Sequence, residues 1–230
     1  MVASDPAALL RRVSLFAGLD EATLAGLAGR LRRRSYRRGT MIFHKDQPGD
    51  GLHVIESGRV RFFLPAERGE ELTIDVAGPG EVFGELALLD GQPRSASAEA
   101  LEETVTQVLG REEFQAALAA SPELAGALIG LLSTRLRHVT DYAESLAFLD
   151  VHARVARALL ELAGRYGHRG EGGRITIDLD LTQTELATMV GATRERVNRA
   201  LAAFREQALV ELHGRQIVLR DPDRLRRRIY

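Results

Sequence analysis

The sequence contains neither cysteine nor tryptophan among its 230 residues. Without thiols the chain forms no disulfide, no cysteine-ligated iron–sulfur cluster and no cysteine-based zinc site, and thiol catalysis is excluded as well. The histidines show no metal-ligand spacing along the chain: His44, His53, His138, His152, His168 and His213. We therefore expect no metal site, no haem and no resident cofactor.

Long apolar runs are also missing. No stretch approaches the roughly 18 apolar residues that mark a membrane-spanning helix. The N-terminal segment MVASDPAALLRR carries Asp5 and lacks the apolar core of a signal peptide. These two absences predict a cytoplasmic protein with no membrane partner.

Lysine occurs once, at Lys45, whereas arginine occurs 30 times, and the net charge of −1 conceals an asymmetry. Residues 1–150 hold 16 basic and 22 acidic side chains, a net of −6, whereas residues 151–230 hold 15 basic and 10 acidic, a net of +5. A basic C-terminal portion favours a polyanionic partner there, and an ordinary solvated surface is the alternative.

The sequence pattern changes twice within the first 150 residues. Residues 5–34 have the apolar spacing of helix, with Asp20 placed to cap a turn. Residues 35–108 contain short β-rich pieces, MIF, LHVI and VRFFL, separated by turn-forming glycines: Gly39, Gly49, Gly51 and Gly58. This even spacing predicts a small all-β barrel or jelly roll, and REEFQAALAASPEL then returns to helix.

A long helix is predicted from Ser121-Pro122, a capping side chain followed by proline, to about Leu149. Its apolar positions recur every three or four residues, close to a coiled-coil seam: Leu128, Leu132, Leu136, Val139, Ala143 and Leu146. The spacing predicts dimerisation through this helix. An ordinary amphipathic helix packed on the barrel is the alternative.

After the long helix, Asp150 is placed to cap a second one, VHARVARALLELAGRYG, which is followed by the glycine-rich loop GHRGEGG and the alternating strand RITIDLDL. We expect the domain boundary near 148–151. The predicted organisation is α+β: a barrel domain over 1–120, a long dimerisation helix and hinge over 121–149, and a further domain over 150–230.

Residues 183–202, QTELATMVGATRERVNRALA, have the pattern that two helices need to cross around a short turn. Ala187 permits close approach, and Gly191 supplies the turn conformation. Thr182 and Glu185 form a T-x-x-E capping box for the first helix, and Thr193 is placed to cap the second.

The second helix of this hairpin projects polar side chains from its first turns: Arg194, Glu195, Arg196, Asn198 and Arg199. Arginine pairs with guanine and glutamate accepts from cytosine, which favours double-stranded DNA as the partner. VELHGRQIVL then resembles a two-stranded wing turning at His213-Gly214, before the basic tail DRLRRRIY. The sequence therefore predicts a winged helix-turn-helix domain over 150–230, with a purely structural helical hairpin as the alternative.

The stretch FGELALLDGQPRSASAEA places two charges, Glu85 and Arg94, among apolar neighbours, where burial is costly without a partner. A helical turn beginning at Gly84 would point N–H groups at an anion. Arg94 would hold a phosphate with its planar fork, Ser95 would donate to the same oxygens, and Glu85 would accept from a sugar hydroxyl. A cyclic nucleotide satisfies both charges.

Here the chain resembles the CRP/FNR transcription regulators, most of all the cyclic AMP receptor proteins. GELALLDGQPRSASA is similar to the phosphate-binding cassette of cyclic-nucleotide-binding domains, and LTQTELATMVGATRERVNRAL to the family's helix-turn-helix. The resemblance extends over nearly the whole chain and includes LFAGLD, the glycine-punctuated barrel and SLAFLDVHARVARALLELA.

The resemblance implies a role for each matching residue. Glu85 would meet the ribose 2′-OH and Arg94 the cyclic phosphate, and Arg135 would lie near the phosphate. The further cyclic-nucleotide-binding residues so implied are Gly84, Leu86, Ala87, Ser95, Ala96 and Thr140. Val139 stands where the enterobacterial receptor has a second hydroxyl. The implied DNA-binding residues are Thr182, Thr193, Arg194, Glu195 and Arg199.

A homodimeric regulator is therefore expected, with cyclic AMP as allosteric ligand, palindromic TGTGA-like half-sites and RNA polymerase as a further partner. The alternatives are a regulator of the same fold that ignores cyclic AMP or senses another ligand, and a nucleotide-sensing subunit of an enzyme or channel. No nucleophile–base pair and no phosphate-binding P-loop is apparent, so we expect no catalytic residues and no enzyme.

Overall fold

A computed structural model of the chain describes residues 5–177 and 179–229. Its contacts divide the chain into two compact units, and the division falls inside the long helix. The first unit comprises the described residues up to Gly69 together with Ile74–His138. The second comprises Glu70–Thr73 and the residues from Val139 onward.

The N-terminal helices are shorter than predicted. Helix α1 spans Pro6–Arg12, a 3-10 turn spans Ser14–Phe16 and α2 spans Glu21–Ala28. Asp20 caps α2, accepting a hydrogen bond from the backbone of Thr23 at 2.9 Å. The predicted helix over 29–34 is wrong, because strand β1 (Arg32–Tyr36) pairs antiparallel with β8 (Thr104–Gly110). A long-range strand partner therefore outweighs the local preference.

Up to Gly110, the described residues form eight strands in two four-stranded sheets, ordered β1-β8-β3-β6 and β2-β7-β4-β5. The remaining strands are β2 (Met41–Phe43), β3 (Gly51–Ser57), β4 (Val60–Pro65), β5 (Glu71–Ala77), β6 (Val82–Phe83) and β7 (Ser97–Ala100). Helix α3 (Leu86–Asp90) lies between β6 and β7, and α4 (Arg111–Ala120) follows β8.

Strand β3 is buried on both faces, which shows how the layers stack. Leu52 and Val54 belong to the apolar cluster shared with the N-terminal helices, α4 and the start of the long helix. Ile55 instead packs with Phe83 and with Ala98 of the second sheet. Because one core lies between the two sheets and another between a sheet and helices, the predicted jelly roll is confirmed.

Helix α5 (Pro122–Phe148) is the predicted long helix, ending one residue early. The Ser121 hydroxyl accepts from the backbone of Leu124 at 3.2 Å and caps its first turn. Among the described residues, no single helix is both long and apolar enough to cross a membrane. Helices α4 and α5 pass that test only as a pair, and the pair is bent by 111°.

The second unit has the architecture of a winged helix-turn-helix. Its elements are α6 (Val151–Tyr166), β9 (Gly167–Arg169), β10 (Ile175–Ile177), α7 (Gln183–Met189), α8 (Arg194–Glu206), β11 (Val210–His213), β12 (Gln216–Leu219) and α9 (Pro222–Arg226). The strands form one sheet in the order β11-β12-β10-β9. Its core contains Leu159, Val197, Phe204 and Leu219. The α+β class is thus confirmed.

Two local expectations in this unit were incomplete. The stretch GHRGEGG, predicted as loop, contains strand β9, because its residues pair antiparallel with β10. The tail predicted only as basic contains helix α9, which Asp221 caps by accepting from the backbone of Arg224 at 2.9 Å. Leu225 anchors this helix in the core of the unit.

Candidate functional site

The predicted phosphate-binding segment, GELALLDGQPRSASA, begins directly after β6 and runs through α3 into the start of β7. Gly84 connects β6 to α3 with φ +85°, a left-handed conformation that favours glycine. A Cβ at this position would lie 2.4 Å from Nη1 of Arg94. The glycine is therefore required both by the turn and by the close approach of the arginine.

Arg94 is held inside the first unit, with its side chain 2% exposed. Nη1 donates to the carbonyl of Gly84 at 2.6 Å, and Nη2 donates to the carbonyl of Gly51 at 3.0 Å and to Oδ1 of Asp50 at 3.1 Å. The guanidinium also lies over the ring of Phe43, 4.2 Å from its centroid. Burial lowers the pKa of Arg94, against the opposing effect of Asp50, yet arginine stays charged in proteins.

Glu85 is likewise buried, with 1% of the residue exposed. Its Oε1 accepts from Nη1 of Arg135, whose Nη2 donates to the carbonyl of Val82. The two charges that the sequence left open are thus both paired within the protein. Each nevertheless keeps one buried atom without a hydrogen-bond partner: Oε2 of Glu85, an acceptor, and Nε of Arg94, a donor.

The other predicted pocket residues differ in their surroundings. Ala87 and Ala96 are buried, whereas Leu86 and Ser95 are exposed. Thr140 lies five residues after Arg135 on α5 and is exposed. The structure therefore brings Gly84, Glu85, Arg94 and Arg135 together by direct contacts.

Two neighbours of Arg94 were missed by the sequence reasoning. Asp50 follows a turn-like Gly49 and carries no local signal of its role. His53 is buried, stacks on Phe83 with ring centroids 4.7 Å apart, and places Nδ1 3.3 Å from the hydroxyl of Thr106. Burial, and next the charge of Arg94, lowers the pKa of His53 to about 3, so the imidazole is neutral near pH 7. Only the fold brings these residues to Arg94.

The helical hairpin of the second unit forms as its capping signals predicted. Thr182 and Glu185 make the reciprocal capping box at the start of α7. Thr193 caps α8 by accepting from the backbone of Arg196 at 3.4 Å. Gly191 has φ +58° in the turn between the helices, and Val197 is fully buried in their crossing.

Helix α8 presents its predicted reading side chains to solvent. Arg194, Glu195 and Arg199 are all exposed. Glu195 and Arg199 form an i,i+4 ion pair at 3.2 Å, with side chains 81% and 66% exposed. Such an exposed pair contributes little to stability, so both groups are available to base edges.

The wing is a β11–β12 hairpin with Gly214 and Arg215 between its strands, one residue later than predicted. On it, the hydrogen bond from His213, and next the charge of Arg220, lowers the pKa of Glu211. In the tail, Arg226 pairs with Asp223 at 2.8 Å. Across residues 5–177 and 179–229, no group of three or more histidine or acidic side chains is arranged to hold a metal ion.

Comparison with known proteins identifies both units. Residues 33–121 match the Cyclic nucleotide-binding domain family, and residues 153–228 match the Crp-like helix-turn-helix domain family. A barrel carrying such a cassette, joined to such a hairpin, defines a DNA-binding transcription regulator with a cyclic-nucleotide-binding domain.

Individual relatives show which family of such regulators the chain belongs to. A CRP-like cAMP-activated global transcriptional regulator of Mycobacterium tuberculosis is 37% identical over 220 residues, 96% of this chain and 98% of the relative. The Cyclic AMP receptor protein of Thermus thermophilus is 37% identical over 207 residues, covering 90% and 92%. The solved structure of the c-di-GMP responsive global regulator CLP of Xanthomonas campestris has a TM-score of 0.75 at 27% identity, covering 88% of this chain and 100% of that one. The chain belongs to the CRP/FNR family of transcription regulators.

Proposed function

We propose that this regulator binds cyclic AMP in its first unit and, as a homodimer, binds palindromic DNA in response. The observation that carries the ligand assignment is the pair of unpartnered buried atoms, Oε2 of Glu85 and Nε of Arg94. A buried polar atom without a partner costs about 1–3 kcal/mol. A ligand that offers both a hydroxyl and a phosphate removes both penalties.

Cyclic AMP has these two groups on one rigid ring system. Its ribose 2′-OH donates to Oε2 of Glu85, and a cyclic phosphate oxygen accepts from Nε of Arg94. The names of the two relatives that are 37% identical, one cAMP-activated and one a cyclic AMP receptor, support the same ligand. Arg135 holds Glu85 through its other oxygen, so the carboxylate stays oriented while it accepts from the sugar.

Another ligand in the same pocket is the second candidate. Val139 lacks the hydroxyl that the resemblance associates with adenine contact, and one structural relative carries the name of a c-di-GMP responsive regulator. Titration calorimetry with cyclic AMP, cyclic GMP and cyclic di-GMP separates these possibilities. We expect saturable binding of cyclic AMP in preference to the other two. Preferential binding of cyclic di-GMP, or binding of none, would refute the assignment.

The dimer is proposed from the exposed stripe of α5, which we define as Ile129, Leu136, Val139 and Ala143. The predicted seam requires correction, because Leu128 lies in the core of the first unit and Leu132 packs against that core. Leu146 packs against Gly191 within the second unit. Ile129 was not predicted, yet it is 65% exposed, and Ile129, Leu136 and Ala143 recur every seven residues. A second copy of the helix covers such a heptad stripe.

The double substitution Leu136→Glu and Val139→Glu tests the dimer. It places carboxylates against each other in the apolar contact, so light scattering is expected to show a monomer. Arg137→Glu, also exposed on α5, is the matched control and is expected to stay dimeric. A dimer that persists in the double variant would assign the contact to another surface.

The proposed DNA site follows from the dimer. Two copies of α8 related by a two-fold axis reach successive major grooves roughly 34–36 Å apart, so the site is a palindrome. Arg194, Glu195 and Arg199 match the reading residues of the family, which supports TGTGA-like half-sites, and we extend the proposal to RNA polymerase as the partner at promoters. Selection from a random duplex pool, with and without cyclic AMP, tests this. Enrichment of no palindrome in either condition would refute it.

A further inference from the structure

Two side chains of α4, Arg111 and Gln115, contact the phosphate-binding segment from outside the residues assigned above. Nη2 of Arg111 donates both to the carbonyl of Ala87, at 3.0 Å, and to the carbonyl of Gly49, at 2.8 Å. One turn later, Nε2 of Gln115 donates to the carbonyl of Leu88 at 2.8 Å. We call Arg111 and Gln115 the α4 brace.

The brace meets a specific need of α3. A helix leaves its last four carbonyls without partners inside the helix, and α3 has only five residues. Arg111 and Gln115 supply donors to Ala87 and Leu88 of this helix. Since Glu85 immediately precedes α3, a shift of α3 would also move the Glu85 carboxylate.

Arg111 also fixes the segment 49–51, which holds Arg94. Its backbone N–H donates to the carbonyl of Asp50 at 3.1 Å, in addition to the side-chain bond to Gly49. A Cβ on Gly49 would lie 2.5 Å from Cβ of Ala87, so this segment and α3 are in direct contact. Arg94 binds the same segment through Asp50 and Gly51. Arg111 and Arg94 therefore each tie the segment 49–51 to the phosphate-binding segment.

We propose that both residues of the α4 brace are positioning residues for the nucleotide: Arg111 holds the segment 49–51 against α3 and Gln115 holds α3, so that Glu85 and Arg94 keep their spacing. The inference rests on the proposed ligand site. It predicts that ligand affinity depends on a side chain whose bonds are made to protein carbonyls. Burial is the main cause that lowers the pKa of Arg94, and the charge of Arg111 adds a smaller effect in the same direction.

The test compares cyclic AMP binding by the full-length wild type, Arg111→Met and Arg111→Lys. Methionine keeps the length but removes the donors, and we expect affinity to fall about tenfold, as for the loss of a charged hydrogen bond. Both side-chain bonds come from a single nitrogen, so the lysine ammonium replaces it, and affinity is expected within about twofold of wild type. Arg59→Met removes another partly buried, ion-paired arginine of the first unit and is the control expected to bind normally.

A second readout separates positioning from general stability. The ratio of affinities for cyclic AMP and its 2′-deoxy analogue reports how well Glu85 meets the hydroxyl, and a loss of stability alone leaves that ratio unchanged. We expect the ratio to fall in Arg111→Met and to return in Arg111→Lys. Should Arg111→Met fail to fold, Gln115→Ala, which removes one bond and no charge, is expected to weaken binding about twofold to threefold.

The outcomes are distinguishable. A wild type that binds no cyclic AMP refutes the proposed ligand and not the brace. The positioning role is overturned if the wild type binds cyclic AMP and a folded Arg111→Met variant binds it with the same affinity and the same preference over the 2′-deoxy analogue. The role is also overturned if Arg111→Lys binds cyclic AMP as weakly as Arg111→Met, because the lysine ammonium supplies the donor that methionine lacks. Where only Gln115→Ala folds, unchanged affinity in that variant overturns it.

Discussion

The nucleotide pocket and the helical hairpin are held together in opposite ways. In the pocket, Arg94 bonds to Asp50, 44 residues away, and Glu85 to Arg135, 50 residues away. In the hairpin, the capping bond from Glu185 to Thr182 spans three residues, and Arg199 pairs with Glu195 within one turn. Arg94 and Glu85 are buried, whereas their partners differ, since Arg135 is partly buried and Asp50 is exposed. Both hairpin charges, Glu195 and Arg199, are exposed.

This contrast predicts different responses to change. Changes at the buried charges Arg94 and Glu85 alter groups that are shielded from water, so their effects are expected to be large and weakly dependent on salt. Exposed charges are screened, so effects in the hairpin are expected to be graded and dependent on salt. The four predictions below test or sharpen this difference.

The largest effect is expected from Arg94→Leu, which we predict abolishes measurable binding of cyclic AMP. The phosphate loses a charge-assisted partner worth roughly 1.5–3 kcal/mol, and Asp50 loses its counter-charge. Calorimetry measures the binding, and circular dichroism verifies the fold. Arg61→Leu, which removes a partly buried arginine paired with Glu99 in the same unit, is the control. Wild-type affinity in a folded Arg94→Leu variant would contradict the assigned site.

In the hairpin, Arg194→Ala is expected to weaken binding to the selected palindrome by about 1–3 kcal/mol and to relax specificity at one base pair per half-site. The loss arises because alanine cannot donate to guanine. Titration of duplexes substituted at each position gives the specificity profile. Arg205→Ala, an arginine in the last turn of α8, is the control. A uniform loss at every position would assign Arg194 to phosphate contact instead.

The buried His53 predicts acid sensitivity in the first unit. Its folded pKa of about 3 lies below the ordinary value near 6.5, so the unfolded chain binds the proton more readily. The unfolding free energy is unaffected by His53 above about pH 6.5 and decreases as the pH falls toward 3. By pH 5 the decrease is about 2 kcal/mol. Urea unfolding at pH 7 and pH 5 measures this contribution.

The comparison variant is His53→Phe, which is expected to lose that part of the pH dependence. His44→Phe, at an exposed histidine of the same unit, is expected to retain it. Equal pH dependence in wild type and His53→Phe would show that other groups carry the effect.

The smallest effect is expected from replacing Arg226, Arg227 and Arg228 with alanine. Asp223 lies 2.8 Å from Arg226 and offsets part of its attraction to phosphates, and Arg228 donates to the side chain of Gln207. We expect a slightly weaker affinity for all sequences alike, with the salt slope reduced by about one for each phosphate that the variant no longer binds. Affinities at several salt concentrations, on cognate and random duplexes, measure both. A weakening confined to the cognate duplex would contradict this.

The sequence was most informative where the cause of a structure is local. Asp20, Ser121, Asp150, Thr182 and Thr193 all cap the helices that they were predicted to cap. A capping side chain and the N–H groups it accepts from are neighbours in the chain, so the pattern can be recognised without the fold. The hairpin and the exposed polar face of α8 follow from such patterns.

The wrong predictions concern residues whose structure depends on tertiary packing. Residues 32–34 became strand because β8 pairs with them, and Leu128 turned inward because α5 covers the first unit. Periodicity alone shows that a helix has an apolar face. It does not show how much of that face the same chain covers, since that depends on which elements reach it.

The sequence by itself therefore determined the long helix, the capped hairpin and the presence of two charges in an apolar segment. The tertiary structure alone decided that Glu85 pairs with Arg135, that Arg94 lies against Asp50 and Phe43, and that Arg111 braces α3. The reason is physical: hydrogen bonds within a turn depend on a few adjacent residues, whereas partners of buried charges come from distant segments that only the folded core brings together.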